Sequence, residues 1–234
     1  LGITGGLVDA TDYLDENAYA NDEFTQFMNQ VLTNAANGFA PSYDMGIAVE
    51  WEFGQIALKG VAMSVGENDD SRAYNFYGAN MGYSVNTKLG EGHYRVNVEW
   101  TGKDFNNFAG DNLASKQCVI LSFDQQLGEI LGAWTRFGWQ DDTAAIISKS
   151  LYSGGLDING KNWRREQDNI GIGYAYLEGG NQDLDNAYIF ETYIRFLLNE
   201  YFAVTADLQY QVNNMKQGDS PSGFISGVRC VVEF

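Results

Sequence analysis

The chain has one histidine, His93, in the run His93–Thr101 (HYRVNVEWT) beside Arg95 and Glu99. Any histidine-based metal site or Ser-His-Asp relay must pass through it. No serine elbow accompanies it, and its neighbours alternate in type, so it reads as part of a charged strand face. Glu50 and Glu52 share a face as well, but two carboxylates on one strand do not flank a scissile glycosidic bond. Cys118 and Cys230 are the only thiols; they lie far apart in strand-like runs and are expected to be unpaired. The acids Asp9, Asp12, Asp15, Glu16, Asp22 and Glu23 lack the spacing and central glycine of a calcium loop, and read as a solvated loop. The sequence therefore predicts no catalytic residue, no metal site and no cofactor.

What remains is recognition without reaction. Arg95, Glu99, Arg136, Glu191, Arg195, Asp207 and Arg229 fall on the polar faces of successive alternating runs. Such side chains replace water in hydrogen bonds to solute hydroxyls, and Trp134 offers an apolar surface to a sugar ring. Weak binding of this kind permits exit as well as entry. The plainer reading of each residue is a solvated wall position or a cross-strand ion pair. As a group they predict a polar lumen.

Strands must position these residues. Proline is nearly absent, at 2, while glycine reaches 27 and aromatics 14%, a mixture that favours strands and tight turns. Thirty-one acidic against fourteen basic residues give a net charge of −17, which makes nucleic acid an unsuitable partner. No run approaches the ~18 apolar residues of a spanning helix, a test that barrels escape because their strands alternate. Leu1 opens the chain without a signal-peptide pattern; a removed leader or an incomplete N-terminus is the expectation.

The alternation is explicit. Tyr94, Val96, Val98 and Trp100 share one face, with His93, Arg95, Asn97, Glu99 and Thr101 on the other. The same pattern recurs about every 10 to 14 residues, giving about eleven full strands and a stub at Leu1–Val8. The last run places Phe224, Ser226, Val228, Cys230, Val232 and Phe234 on one face and Arg229 and Glu233 on the other. Tight turns are expected at 54–55, 90–92, 125–126 and 199–201, alternating with longer polar links at 66–75, 102–115, 140–145, 180–186 and 213–222. One irregular portion, 141–165, is given a strand near 145–153 and then a Gly-rich loop. Tyr43, Tyr77, Tyr94, Trp100, Trp139, Tyr188 and Tyr210 sit towards strand ends on the apolar face, as interfacial girdles do.

These features predict an all-β fold, a transmembrane antiparallel β-barrel forming one domain over 1–234. An acidic loop with a short helix, 9–41, is inserted between strands. The helix is expected at 22–34, where Phe24, Phe27, Met28, Val31 and Leu32 recur at helical spacing behind an Asn21 cap.

The segments GGLVDATDYLDENAYANDEFTQFMN, WRREQDNIGIGYAY, YIRFLLNEYFAVTADLQYQVNN and PSGFISGVRCVVEF, in this order, resemble carbohydrate-selective outer-membrane porins of the OprB type. The resemblance implies passive diffusion of sugars and other small solutes across the outer membrane of a Gram-negative bacterium. It also implies a sixteen-stranded barrel on a longer chain, so this chain is expected to be its C-terminal portion, with strands preceding Leu1, or a reduced form. Outer-membrane lipid and lipopolysaccharide are the expected surroundings, and a homo-trimer or a monomer the assembly. A terminal aromatic such as Phe234 resembles the signal read by outer-membrane assembly machinery. Two further readings stay open: a nonspecific or cation-preferring porin, and a non-conducting scaffold barrel that docks an envelope partner such as an electron-transfer protein.

Overall fold

The period-two runs fold as one up-and-down meander. The computed structural model describes residues 1–233; Phe234, the expected assembly signal, lies outside the described residues. β1 (Gly2–Val8) leads into segment 9–43, which carries two single helical turns, α1 (Thr11–Leu14) and α2 (Gln30–Thr33). Next come β2 (Asp44–Phe53), β3 (Ile56–Val65), β4 (Tyr74–Thr87) and β5 (Gly90–Thr101). A small ladder of β6 (Phe105–Asn106) with β7 (Leu113–Ala114) organises the following loop. The remaining strands are β8 (Gln117–Leu127), β9 (Leu131–Gln140), β10 (Ser148–Asn159), β11 (Asn169–Gly179), β12 (Leu184–Asn199), β13 (Phe202–Met215) and β14 (Ser222–Val232). Leaving aside β6 and β7, consecutive strands pair antiparallel in a twelve-stranded sheet. β1 and β14 are the ends of that order, and no ladder joins them among the described residues.

The two faces of the sheet differ sharply. One carries Trp51, Phe53, Tyr83, Tyr94, Trp100, Trp139, Tyr174, Phe190, Leu208 and Phe224, all exposed, Phe224 at 75%. A soluble protein does not leave an apolar surface of this extent in water, whereas lipid is a favourable solvent for it. Tyr77 stacks on Trp100 and Phe137 on Trp139, forming aromatic pairs along that face. The opposite face carries the acids, amides and arginines, and much of it is buried, with Glu191 and Arg136 at 0% exposure.

That inner face is buried because segment 9–43 folds back onto it. Phe27, Leu32, Ala20 and Ala35 pack with Ile120, Trp134, Leu151, Ala175, Ile189 and Tyr193; Leu14 and Ala10 pack with Val61, Met63 and Phe76. The expected solvated acidic loop is therefore corrected. Asp15 and Asn17 are buried against the wall, and Asp9 caps its own turn by accepting from the Thr11 N–H at 3.0 Å.

The helix expected at 22–34 shrinks to Gln30–Thr33. Asp22 closes a single turn, accepting from Phe24 N–H at 2.8 Å and from Thr25 Oγ1 at 2.6 Å. The next amides, Met28 and Asn29 N–H, donate to the Glu191 carboxylate at 2.6 and 3.0 Å, so the wall takes the bonds that a continuing helix would use. Asn29, not Asn21, is the cap of α2, accepting from Val31 N–H.

Connections alternate in length from β1 to β10; beyond it the β10–β11 link, 160–168, is long, and the link expected at 180–186 shortens to 180–183 because β12 starts at Leu184. Two tight turns lie a few residues from their expected places. β4 and β5 stay paired to Thr87 and Gly90, which puts the turn at 88–89. β8 and β9 stay paired to Leu127 and Leu131, with Gly128 at φ +79 supplying the left-handed backbone. β10 continues through Gly154 and Gly155, where a loop is expected, because both pair on either side, with Thr135 and Trp134 of β9 and with Tyr174 and Gly173 of β11; a Cβ at Gly155 would stand 2.3 Å from the Ile172 carbonyl oxygen and 2.7 Å from Trp134 Nε1, which leaves room for glycine alone. Cys118 and Cys230 are both free.

Candidate functional site: the inner wall and its docked segment

Alternation brings the eight residues singled out for the lumen, Arg95, Glu99, Trp134, Arg136, Glu191, Arg195, Asp207 and Arg229, to the inner face. Most of them hold segment 9–43. The Arg136 guanidinium pairs with Asp15 through Nε at 2.9 Å and donates to the carbonyls of Ala20 at 2.7 Å and Leu32 at 3.1 Å. One buried cation thus ties three points of the segment to β9. Glu99 accepts from the Phe39 N–H at 2.8 Å, and Glu191 takes the Met28 and Asn29 amides. At β14, Arg229 donates to the carbonyls of Glu23 and Gln26 and to Thr205 Oγ1.

A second cluster lies where Glu16, Asn17 and Ala18 meet β3, β5 and β8. Lys59 sits between Glu16 at 2.7 Å and Glu50 at 3.3 Å. Asp124, almost fully buried, receives Arg95 Nη1 at 2.6 Å, the His93 ring nitrogen at 2.6 Å and the Ala18 N–H at 3.2 Å. Ser122 Oγ donates to the Glu16 carbonyl and accepts from Asn17 Nδ2. His93 is taken up in this network as part of an electrostatic anchor for the segment. Among the described residues no group of three or more His, Cys, Asp or Glu is arranged to hold a metal.

The other singled-out residues fall differently. Trp134 is 2% exposed beneath Phe27, whose ring meets it edge-on at 5.6 Å, so its face lies against the segment. Asp207 accepts from Gln209 Nε2 at 2.8 Å, and Gln209 Oε1 in turn accepts from Asn29 Nδ2 at 3.0 Å. Arg195 stands on the inner face opposite Asn169 and Thr205, towards the tight-turn rim, and makes no contact with the segment among the hydrogen bonds and ion pairs of the described residues.

Glycines complete the docking surface. A Cβ at Gly132 would lie 2.3 Å from the Tyr19 ring, and one at Gly173 would lie 2.7 Å from Phe27 and 3.0 Å from Leu32. Bare backbone at these wall positions forms sockets for the segment's larger side chains. The residues missed by sequence reading are the partners on the segment: Asp15, Asn17, Phe27 and Asn29. The available signal was the run of inward-facing glycines on β11, which marks a wall approached closely by something.

Two recesses differ in kind. A groove of about 560 Å³ between Trp100 and Trp139, floored by Val119, opens on the apolar face and belongs to the lipid-facing surface. A cavity of about 410 Å³ lies on the inner side, between the two limbs of segment 9–43 and Glu99. Inner positions near the ends of the sheet, such as Glu52 on β2 and Ile225 on β14, are left bare by the segment.

Comparison with known proteins matches residues 1–234 to the carbohydrate-selective porin, OprB family. An uncharacterised protein of Aquifex aeolicus (strain VF5) is 27% identical over 209 residues, covering 89% of this chain and 58% of the relative. The chain thus spans less than two thirds of that relative's length. Among solved structures, the high-pH structure of Pseudomonas putida OprB superposes with a TM-score of 0.73 at 15% identity, over 97% of this chain and 69% of that one.

Proposed function

Because the chain belongs to the OprB family of carbohydrate-selective porins, we propose that it builds wall and constriction of a channel through which small polar solutes, sugars foremost, diffuse passively across a Gram-negative outer membrane. The observation that carries this reading is the docking of segment 9–43 on the inner wall. It narrows a polar lumen. Diffusion needs no catalytic group, and porins of this family and fold are transport channels.

The charge arrangement supports a second element of the reading. Three inner cations are already matched: Arg136 by Asp15, Arg95 by Asp124, and Lys59 by Glu16 and Glu50. The net charge of −17 leaves an acidic field, which favours neutral solutes and cations over anions.

The test is reconstitution of the full-length protein in planar bilayers and in liposomes. Ion-conducting steps, a reversal potential favouring cations in a salt gradient, and liposome swelling in isosmotic glucose are the expected results. Conductance without sugar permeation replaces the sugar reading with a general porin. Absence of both conductance and swelling refutes the channel and leaves a scaffold barrel.

A further inference from the structure

The inner cavity of about 410 Å³ falls within the ~300–1,000 Å³ of small-molecule sites. Its lining comes from both limbs of the docked segment: Thr11 and Asp15 from the first, Gln30, Asn34 and Ser42 from the second, with Glu99 of β5 behind them. Gln30 and Asn34 stand one helical turn apart at α2, so their amides share a face. Each amide presents both a donor and an acceptor, while the Thr11 and Ser42 hydroxyls donate to Asp9 at 2.6 and 3.2 Å and offer acceptors. Val31, Ala35, Ala36 and Ala40 supply the apolar remainder of the lining.

The charges restrict the ligand further. The lining contains no Lys, Arg or His. Asp15 is neutralised by Arg136, while Glu99, 1% exposed, has one partner, the Phe39 N–H, and no cation at ion-pair distance among the described residues. An anion meets no counter-charge here. Dispersed donors and acceptors around small apolar side chains match the surface of a neutral polyol, whose hydroxyls alternate with C–H faces. The lining lacks aromatic stacking, which keeps binding weak enough for release.

We infer that this cavity is a hydroxyl-recognising docking site for a monosaccharide-sized neutral sugar, carried by the inserted segment and not by the barrel wall. The site rests on the channel reading above and adds to it the place where solute pauses. Asn34 accepts from sugar hydroxyls, Gln30 and Asn34 donate to them, and Thr11 and Ser42, whose own protons go to Asp9, accept.

The experiment is sugar-induced block of current through the full-length protein in planar bilayers, with glucose as probe, comparing wild type with Gln30→Leu, Asn34→Leu and Arg195→Gln. Removing one hydrogen-bonding amide is expected to raise the half-blocking glucose concentration by about two- to tenfold, the worth of one such bond. Gln30 is exposed at the protein surface, so Gln30→Leu assembles even if the half-buried Asn34→Leu does not. Unchanged block in both leucine variants, with loss of block in Arg195→Gln, moves recognition to the wall and overturns this site while the channel stands. Conduction with no glucose block in wild type overturns the site as well. An insulating protein overturns the channel reading and the site with it.

Discussion

Replacing Arg136 by Met would test whether the segment is held by that one guanidinium. The substitution keeps the apolar stem but deletes the Asp15 pair and two bonds to carbonyls at Ala20 and Leu32, all in a region closed to solvent. Asp15 is left with the Ala35 amide as its remaining hydrogen-bond donor. Breaking a buried pair by removing one partner costs about 3–5 kcal/mol, because the other charge stays buried and uncompensated. At about 1.4 kcal/mol per decade, the undocked population of the segment rises by roughly two to three and a half powers of ten. Limited proteolysis of the folded protein reads this directly, since the segment is protected only while docked. Faster cleavage within 15–35 and noisier single-channel current are the expected results. The double variant Arg136→Met with Asp15→Leu removes the orphaned charge and recovers most of the protection, as an apolar pair of similar volume is close to neutral. A single variant that folds, resists protease like wild type and conducts quietly would refute the reasoning.

Two other outcomes follow from the same geometry. Phe27→Ala empties the socket between Trp134 and Tyr193, whose rings stand 5.6 and 5.2 Å away, and costs about 3–5 kcal/mol of docking, seen as accelerated proteolysis and a changed Trp134 fluorescence. At the β10–β11 turn, burial pushes the Asp168 carboxyl up, but bonds from Arg165 and the Leu197 N–H outweigh it and hold the group below the usual carboxylate range. A depressed acid stabilises above its unfolded value of about 3.9, and that contribution is lost as pH falls through the lower folded value. Asp168→Asn should therefore be less stable than wild type at pH 7 and flatter in its melting profile below pH 4; equal acid sensitivity of the two proteins would contradict the assignment.

The wall was legible in the sequence because each inner or outer choice repeats every second residue, and a slip by one would put Glu99 or Glu191 into lipid. The faces of β5, β13 and β14 follow residue by residue from that rule. Turn positions were less legible, since Gly90, Gly92 and Gln125 read as turn residues yet sit inside ladders. The site was half legible. Alternation places Arg136 and Glu191 inward, but it does not say that their partners are Asp15 and the Met28 amide, more than a hundred residues away along the chain. The helical spacing of Phe24 to Leu32 was real but local, and Glu191 overrode it with two bonds from across the barrel.

The docked segment also bears on how the barrel is made. It lies between β1 and β2, yet its partners run through to Arg229, 206 and 203 residues from Glu23 and Gln26. Contacts of such separation close the largest loops and form late, after nearer strands have paired. The carboxylates and guanidiniums of the concave side therefore meet their partners on the segment as successive strands join, and docking is complete only once β14 is in place.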